Sequence, residues 1–509
     1  MLFLALCLAV LSTAWAEPRL VEPPIRVDLT PPEESNSRAA QATNVVQEWI
    51  TMPIDHFDPQ NTDTYQMRFM YNGEFFGGPG SPVFIMIGGE WDIAPGWLRV
   101  GNMYAMAQEN RGFQIYTEHR FYGESLPYQN FTVENLRFLN VDQALADLAY
   151  FIRDYVRAQP RFADSKIIMY GGSYAANMAL WFKQRYPHLA VGVVASSGPI
   201  KAQIDFAGYL EVVHEAFLLE GGEQCISTIR QGIQDTVEAL RTEEGRRLIE
   251  FNYRHCGPLP DYDDPFELGY FMGQITWTFS GAVQQARPGT LLGICENFRT
   301  NAYGSTPMEQ IGGFIAHRNN LQTCWTMGFD LLLDLYSQRT NSRAWYYQTC
   351  TEYGFFQTAP RSGTVFDPLW LLNVDFYVEV CKRAFNEDFD KEFVFAAADR
   401  VNEVYGGLNP RVNNTINIHG YIDPWRALGV YDRDISESSP THTVPRASHC
   451  FDMQGWLTTD TIRMTRAQQA ARRTVVPKLK KVDMLPSRTI YFFYWWPYYH
   501  YYGKKILLS

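Results

Sequence analysis

Excess positive charge is absent from this chain of 509 residues, whose formal net charge at neutral pH is −11. Binding to nucleic acid depends on Lys and Arg side chains that neutralise phosphates, so we exclude a nucleic-acid partner. Beyond the N-terminus no apolar run is long enough to cross a bilayer, and we expect no stable membrane span. No pair of cysteines has the C-x-x-C spacing of common metal sites, and no internal repeat is evident. With 46% hydrophobic residues, the composition is that of a large globular protein.

The first 16 residues, MLFLALCLAVLSTAWA, are typical of a secretory signal peptide, because a short apolar run precedes an A-x-A cleavage site. Lys and Arg are missing from the start of this segment, which departs from the usual pattern. The run is nevertheless too short for a membrane anchor. Residues 17–45 are rich in Pro and Glu and are interpreted as an extended N-terminal arm. The sequence therefore predicts a secreted or endosomal/lysosomal protein.

Cysteines and glycosylation sequons agree with this location. Of the eight cysteines, Cys7 lies in the predicted signal peptide and Cys450 is the odd one. The other six form an even set that predicts up to three disulfides in an oxidising compartment, with the pairing left open: Cys225, Cys256, Cys295, Cys324, Cys350 and Cys381. The N-x-T sequons at Asn130 and Asn413 predict glycosylation sites.

Between residues 46 and 202, apolar β-type runs alternate with helical patterns. The predicted strands are Val83–Ile87, Phe113–Thr117, Ile167–Tyr170 and Val191–Ala195. Strands that alternate with helices predict a mostly parallel sheet covered on both faces, which is the α/β fold class. We interpret residues 46–202 as the first part of such a core.

The alternation stops near residue 203, and residues 203–395 favour helices and contain the six cysteines that are expected to form disulfides. We interpret this region as a helical cap inserted into the core, whose second part is residues 396–474. Residues 475–509 form a basic tail in which ten of the twelve residues from Tyr491 to Tyr502 are aromatic. We interpret the tail as lying outside the core, with a membrane-interface anchor as the alternative.

Residues 165–189, SKIIMYGGSYAANMALWFKQRYPHL, contain the pattern G-x-S-x-A between a predicted strand and a predicted helix. This is the layout of a nucleophile elbow, a sharp turn that lifts a serine hydroxyl above the sheet. Such a turn needs small neighbours, and around Ser173 these are Gly171, Gly172 and Ala175. The pattern alone occurs by chance in long chains, but its strand-before and helix-after context favours a serine hydrolase.

Acyl transfer at a serine needs a base to take the proton and an acid to orient that base. In α/β-hydrolases the chain order is Ser, Asp, His, which predicts Asp423 and His449 as partners of Ser173. The 250 residues that separate Ser173 from Asp423 fit only if a large cap lies between them. Asp423 could instead simply start a turn, and His419 and His442 compete with His449 for the role of base.

A tetrahedral oxyanion needs two N–H donors. One should be the backbone N–H of Tyr174, at the N-terminus of the helix that follows the predicted nucleophile. The other should come from the loop after an earlier strand, where Gly89 and Glu90 are the candidates. Glycine in this loop would let the backbone approach a substrate closely.

The segments GGEWD, GFQIYTEHRFYGESLP, GGSYAANMALWFKQRYPHL, ASSGPI, GYIDPW and ASHCFDM, in this order, resemble peptidase family S28. The GGSYAA elbow and the His-Cys pair at 449–450 look most like its thymus-specific branch. The resemblance implies an α/β-hydrolase core with a helical cap, with Ser173 as nucleophile, Asp423 as acid and His449 as base. It also implies exopeptidase cleavage of short peptides, often beside proline, without a cofactor, and we expect no metal. Family members are often dimers, so a homodimer is a further expectation.

Four positions near the expected site depart from the family pattern: Ala175, His419, Arg446 and Cys450. None of them removes a member of the expected triad, so we expect an active enzyme. Two alternatives remain at this stage. The changes at His419 and Arg446 would suit a non-catalytic binding protein on the same fold, and the elbow would serve an esterase or lipase equally well.

Overall fold

The computed structural model describes residue 29 and residues 44–454, except for residues 260–262, 322–323 and 327. The predicted signal peptide, most of the predicted arm, residues 455–474 and the predicted tail lie outside the described residues. Within the described part of the chain, no helix is both long and apolar enough to cross a membrane.

Strands and helices alternate through the first part of the chain and again before its described end. The strands are β1 (Val45–Pro53), β2 (Thr64–Asn72), β3 (Val83–Ile87), β4 (Phe113–Thr117), β5 (Ile167–Gly172), β6 (Gly192–Ser196), β7 (Gln203–Asp205), β8 (Gly354–Phe356), β9 (Thr415–Gly420) and β10 (Thr441–Val444). The helices are α1 (Asn102–Asn110), α2 (Val133–Leu136), α3 (Val141–Tyr150), α4 (Tyr174–Arg185), α5 (Gly208–Ala239), α6 (Glu243–Asn252), α7 (Pro265–Gln284), α8 (Thr290–Arg299), α9 (Pro307–Arg318), α10 (Phe329–Ser337), α11 (Asn341–Gln348), α12 (Val374–Ala384) and α13 (Lys391–Tyr405).

An eight-stranded sheet in the order β1-β2-β4-β3-β5-β6-β9-β10 forms the core. The strands from β4 to β10 in this order are parallel, and β2 runs antiparallel to both of its neighbours. Strands β3, β5, β6 and β9 are buried along their whole length, as expected for parallel strands covered on both faces. The predicted α/β class and mostly parallel sheet are therefore confirmed.

Strand β5 illustrates how helices cover both faces of the sheet. Ile167 and Met169 belong to the same hydrophobic cluster as Trp181 of α4. Ile168 and Tyr170 point to the other face and join a cluster that includes Met106 of α1. Because side chains alternate along a strand, this apolar run is buried from both sides. The carboxyl end of β5 is thereby fixed between two helical layers.

The chain between β6 and β9 builds the predicted helical cap, which contains α5 to α12 and a small parallel pair of β7 and β8. Three disulfides join its six cysteines: Cys225–Cys295, Cys256–Cys324 and Cys350–Cys381. The expected disulfide-bearing cap is thus confirmed, and Cys450 is a free, buried thiol. Helix α13 runs across the predicted domain boundary at residue 395.

Candidate active site

Ser173 is the single residue between the end of β5 and the start of α4. Its backbone has φ 57° and ψ −132°, a conformation that non-glycine residues rarely adopt. Three backbone hydrogen bonds hold it there: Ser173 N–H donates to the Ser196 carbonyl (2.9 Å), and the N–H groups of Ala176 (2.9 Å) and Asn177 (3.3 Å) donate to the Ser173 carbonyl. This is the geometry of a nucleophile elbow, with the strand and helix that the sequence predicted.

The two glycines before Ser173 lie in different surroundings. A Cβ on Gly171 would lie 2.2 Å from the carbonyl oxygen of Ala175, so the tight turn itself excludes a side chain. A Cβ on Gly172 would lie 2.3 Å from the Met453 sulfur and 3.2 Å from the Cys450 sulfur. The fold therefore places the residue that precedes Ser173 against the residue that follows the predicted base.

Asp423 and His449 are hydrogen-bonded to each other. Asp423 caps a short 3-10 helix, Pro424–Leu428, and its Oδ1 accepts from the Trp425 backbone N–H (3.0 Å) and from His449 Nδ1 (2.9 Å). Their side chains are 0% and 1% exposed, respectively. With Nδ1 as the donor, the neutral imidazole has its lone pair on Nε2, which lacks a hydrogen-bond partner among the described residues. A buried imidazole in this tautomer can act as a general base.

The loops that carry these two residues cross at close range. Ile422 N–H donates to the Ala447 carbonyl (3.0 Å), and Tyr421 N–H donates to the Val444 carbonyl (2.9 Å). A Cβ on Gly420 would lie only 2.2 Å from the Ala447 carbonyl oxygen. Glycine at the end of β9 thus permits the close approach of the two loops, because any side chain would push them apart.

The environment separates His449 from the competing histidines. Burial lowers the pKa of His449, but Asp423 and Cys450 together outweigh the effect of burial and hold that pKa well above the usual value. Burial lowers the pKa of His419 to about 4, and burial also lowers the pKa of His442. Among these three, only the ring of His449 is hydrogen-bonded to Asp423 within the part of the chain that the structure describes.

The predicted oxyanion donors lie on neighbouring elements. Tyr174 is the first residue of α4, where backbone N–H groups have no partner inside the helix. Gly89 and Glu90 follow β3, and Glu90 is 1% exposed. Burial, followed by the charges of Glu352 and Glu90, raises the pKa of the Tyr174 phenol well above its usual value. The loop after β3, through Glu90, and the cap, through Glu352, therefore both act electrostatically on Tyr174.

Sequence reasoning did not identify the buried network around the Tyr174 hydroxyl. Gln348 Nε2 and the Tyr353 hydroxyl, both from the cap, donate to it at 3.1 Å. The hydroxyl in turn lies 3.2 Å from His119 Nε2, while His119 Nδ1 lies 2.7 Å from the Arg120 carbonyl. Since burial lowers the pKa of His119 to about 4, its ring is neutral and Nε2 accepts from Tyr174. The segment EHRFYGES contains this histidine, but its spacing gives no sign of the role.

Glu118 is a second residue whose role the sequence did not reveal. Its carboxylate accepts from Arg68 Nη2 (2.5 Å), from the Ile93 backbone N–H (3.1 Å) and from the Ser125 hydroxyl (2.8 Å). It therefore ties the loop after β3, which holds Gly89 and Glu90, to the loop after β4.

The two predicted glycosylation sites occupy accessible positions. Asn130 and Asn413 are both exposed, the first before α2 and the second before β9. Their exposure is compatible with modification, and glycosylation at these positions stays a prediction.

Comparisons with known proteins find a family model, several relatives and solved structures with some similarity to this chain. A family model described as Serine carboxypeptidase S28 matches residues 52–471. The thymus-specific serine protease of Mus musculus is 29% identical over 458 residues, covering 86% of this chain and 88% of its own. The lysosomal Pro-X carboxypeptidase of Bos taurus is 27% identical over 491 residues, covering 92% of this chain and 95% of its own. A solved proline iminopeptidase from Mycobacterium smegmatis is 11% identical with a TM-score of 0.35, covering 84% of this chain and 99% of its own.

Proposed function

The chain belongs to the serine carboxypeptidase S28 family and is a serine hydrolase of the peptidase class, and on this premise we propose that it is an exopeptidase acting through Ser173, Asp423 and His449. The observation that carries the proposal is the buried hydrogen bond between Asp423 and His449 (2.9 Å). The loop that carries His449 packs against the elbow of Ser173. Nucleophile, base and orienting acid are the three groups that acyl transfer at a serine requires.

In the proposed reaction, His449 Nε2 takes the proton from the Ser173 hydroxyl while its Oγ attacks the carbonyl carbon of the scissile peptide bond. The oxyanion forms beside the backbone N–H of Tyr174 and the loop that carries Gly89 and Glu90. The imidazolium then gives its proton to the leaving amine, and an acyl-enzyme remains. His449 then takes a proton from water as the water oxygen attacks the acyl carbon, and it gives this proton to Ser173 Oγ as the bond between Oγ and the acyl group breaks. Asp423 holds the imidazole in its tautomer and stabilises the imidazolium.

We propose short peptides as substrates, with cleavage beside proline. The cap contacts both loops that carry Asp423 and His449, which we call the late loops. These contacts support a restricted entrance to the site. Ser448 Oγ donates to the Ala286 carbonyl (2.7 Å), and Trp425 Nε1 donates to Gln284 Oε1 (2.7 Å). The preference for proline is inferred from the name of the Bos taurus relative, a Pro-X carboxypeptidase.

A location in the secretory pathway, either outside the cell or in the lysosomal lumen, is part of the proposal. Three disulfides support it, because such bonds persist in oxidising compartments. The name of the Bos taurus relative, a lysosomal enzyme, points the same way.

Labelling with a fluorophosphonate probe tests the nucleophile. The wild-type protein should be labelled, and Ser173→Ala should lose both labelling and peptidase activity, on the order of a million-fold in rate. Ser227→Ala, which removes an exposed hydroxyl on α5, is the matched control and should react like the wild type. Equal labelling of wild type and Ser173→Ala would refute the assignment.

A library of proline-containing peptides, analysed by mass spectrometry, tests the substrate class. Peptides with a free, an acetylated or an amidated terminus reveal which end the enzyme trims. Hydrolysis of short acyl esters with no cleavage of any peptide in the library would instead identify an esterase.

A further inference from the structure

Trp425 follows the predicted acid by two residues, and its indole ring lies in a cage made by the cap. It is 2% exposed. The ring centroids of Phe206, Tyr209 and Phe355 lie 5.8, 5.3 and 5.4 Å from that of Trp425. All three belong to the chain between β6 and β9, so a core residue beside the acid is enclosed by side chains of the insertion.

Gln284, the last residue of α7, provides the polar contact of this cage. Its Oε1 accepts two hydrogen bonds, from Trp425 Nε1 (2.7 Å) and from the Tyr209 hydroxyl (2.5 Å). Gln284 is 4% exposed, so water cannot easily replace it as the acceptor. Without this oxygen, two buried donors would lose their shared partner, which is costly in a protein interior.

The same tryptophan orients the acid through its backbone. Its N–H donates to Asp423 Oδ1 (3.0 Å), the oxygen that also accepts from His449 Nδ1 (2.9 Å). The Trp425 ring centroid lies 6.3 Å from that of His449. A displacement of the Trp425 side chain is therefore expected to displace its backbone N–H, which holds the Asp423 carboxylate in position.

We propose that Gln284 is a positioning residue for catalysis, through which the cap holds Trp425 and, through Trp425, the carboxylate of Asp423. This inference rests on the proposed function of Ser173, Asp423 and His449. It gives the cap a second role besides limiting access, since the acid is aligned only when α7 is seated on the core. Small displacements of catalytic groups cost much rate, because reacting atoms must be held within fractions of an ångström.

The test compares Gln284→Leu with the wild type, using kcat per fluorophosphonate-labelled molecule, KM and the pH dependence of kcat/KM. We expect kcat to fall roughly tenfold to a hundredfold with KM little changed. The acid limb of the pH profile should move to lower pH, because a misplaced Asp423 carboxylate supports the imidazolium of His449 less well. Other titratable groups that act electrostatically on His449 are unchanged by the substitution, namely His419, Cys450 and Asp452.

Two further variants keep the inference testable if Gln284→Leu folds poorly. Trp425→Phe removes the indole N–H but keeps a ring in the cage, and it should reproduce the loss of kcat and the shifted limb. Gln310→Leu in α9 removes another buried amide of the cap (3% exposed), which bonds to Asn301 rather than to either late loop. It should leave the acid limb and kcat per labelled molecule at wild-type values.

Several outcomes would overturn the positioning role. They are an unchanged acid limb with unchanged kcat per labelled molecule in both Gln284→Leu and Trp425→Phe, a rise in KM alone, or an equal shift in Gln310→Leu. If instead the wild-type protein is neither labelled nor active, the proposed function itself fails, which is a distinguishable result.

Discussion

Ser173 is positioned mainly by a tight turn of neighbouring residues and by one hydrogen bond to the adjacent strand β6, whereas Asp423 and His449 are positioned by contacts between distant segments. On the first side, Gly171 makes room for the Ala175 carbonyl inside one tight turn. On the second side, 26 residues separate Asp423 from His449, and 141 separate Gln284 from Trp425. The position of the proposed nucleophile is thus set largely by one turn, while the positions of its proposed partners depend on how the sheet, the late loops and the cap assemble.

After the loss of the Ser173 hydroxyl itself, the largest expected effect lies in the assembled part of the site. Asp423→Asn keeps the shape of the side chain but offers an amide to His449 Nδ1, which favours the wrong tautomer. We expect kcat per labelled molecule to fall on the order of ten-thousand-fold. Asp432→Asn, at an exposed position of the same segment, should retain wild-type activity. An Asp423→Asn enzyme with near-normal kcat would show that the acid is located elsewhere.

The local part of the site can be broken with a single methyl group. In Gly171→Ala the new Cβ meets main-chain atoms of the elbow, so the turn must open. A displaced nucleophile should lower the rate of fluorophosphonate labelling about a hundredfold. Ala175→Gly adds no atoms to the same turn and should label at nearly the wild-type rate. Similar rates for both variants would contradict a sterically defined elbow.

The pH dependence of kcat/KM measures how strongly Asp423 and His449 interact. Because Asp423 raises the pKa of His449 and only the neutral ring accepts a proton, kcat/KM should rise with pH. Its half-maximal point should lie above the ordinary value for histidine, about pH 6.5. In Asp423→Asn the residual activity should reach half-maximum at lower pH. A profile that is flat between acidic and neutral pH would argue against His449 as the base.

A second buried group could produce the same limb and needs its own control. Burial raises the pKa of Asp452 to about 7, and its Oδ1 accepts from the Ser196 hydroxyl (2.5 Å). Asp452→Asn should keep the acid limb of the kcat/KM profile, and adding Asp423→Asn to this variant should still move that limb to lower pH. Loss of the limb in Asp452→Asn alone would assign it to that carboxyl instead.

The smallest effect is expected at a surface contact between cap and core. Arg446 lies three residues before His449 in the chain. It donates two hydrogen bonds to Glu220 of α5, at 2.7 and 2.6 Å. The arginine side chain is 50% exposed and the glutamate side chain 10% exposed, and an ion pair with one partner in water contributes only about 1 kcal/mol to the free energy of unfolding. Arg446→Ala should therefore change Tm and kcat little. A loss comparable to that of Gln284→Leu would mean that the ion pair, rather than the buried amide, holds the loops.

Much of the fold followed from the sequence, because its strands are apolar runs of the right length. The predicted runs at Val83–Ile87 and Phe113–Thr117 match strands β3 and β4, and the run from Ile167 extends to Gly172 as β5. The six cysteines predicted a disulfide-bearing cap, but not their pairing. The disulfide pairing depends on which helices pack together, and the spacing of cysteines along the chain does not predict that packing.

The candidate site was predictable where chemistry demands a residue type in a local setting. The turn at Ser173 and the order Ser, Asp, His are of this kind. The neutral His119 under Tyr174, the carboxylate of Glu118 and the amide of Gln284 are not. Their roles arise from burial and from partners far away in the chain, so neither composition nor periodicity distinguishes them from ordinary polar residues of a core.

The sequence by itself determined the class of the protein, the elbow and the serine within it, because the steric limits of a tight turn act between adjacent residues. Only the tertiary structure decided which histidine bonds to Asp423, how the cysteines pair and which cap residues contact the late loops. Those properties depend on distances between remote segments, and such distances exist only once the hydrophobic surfaces of core and cap have packed together.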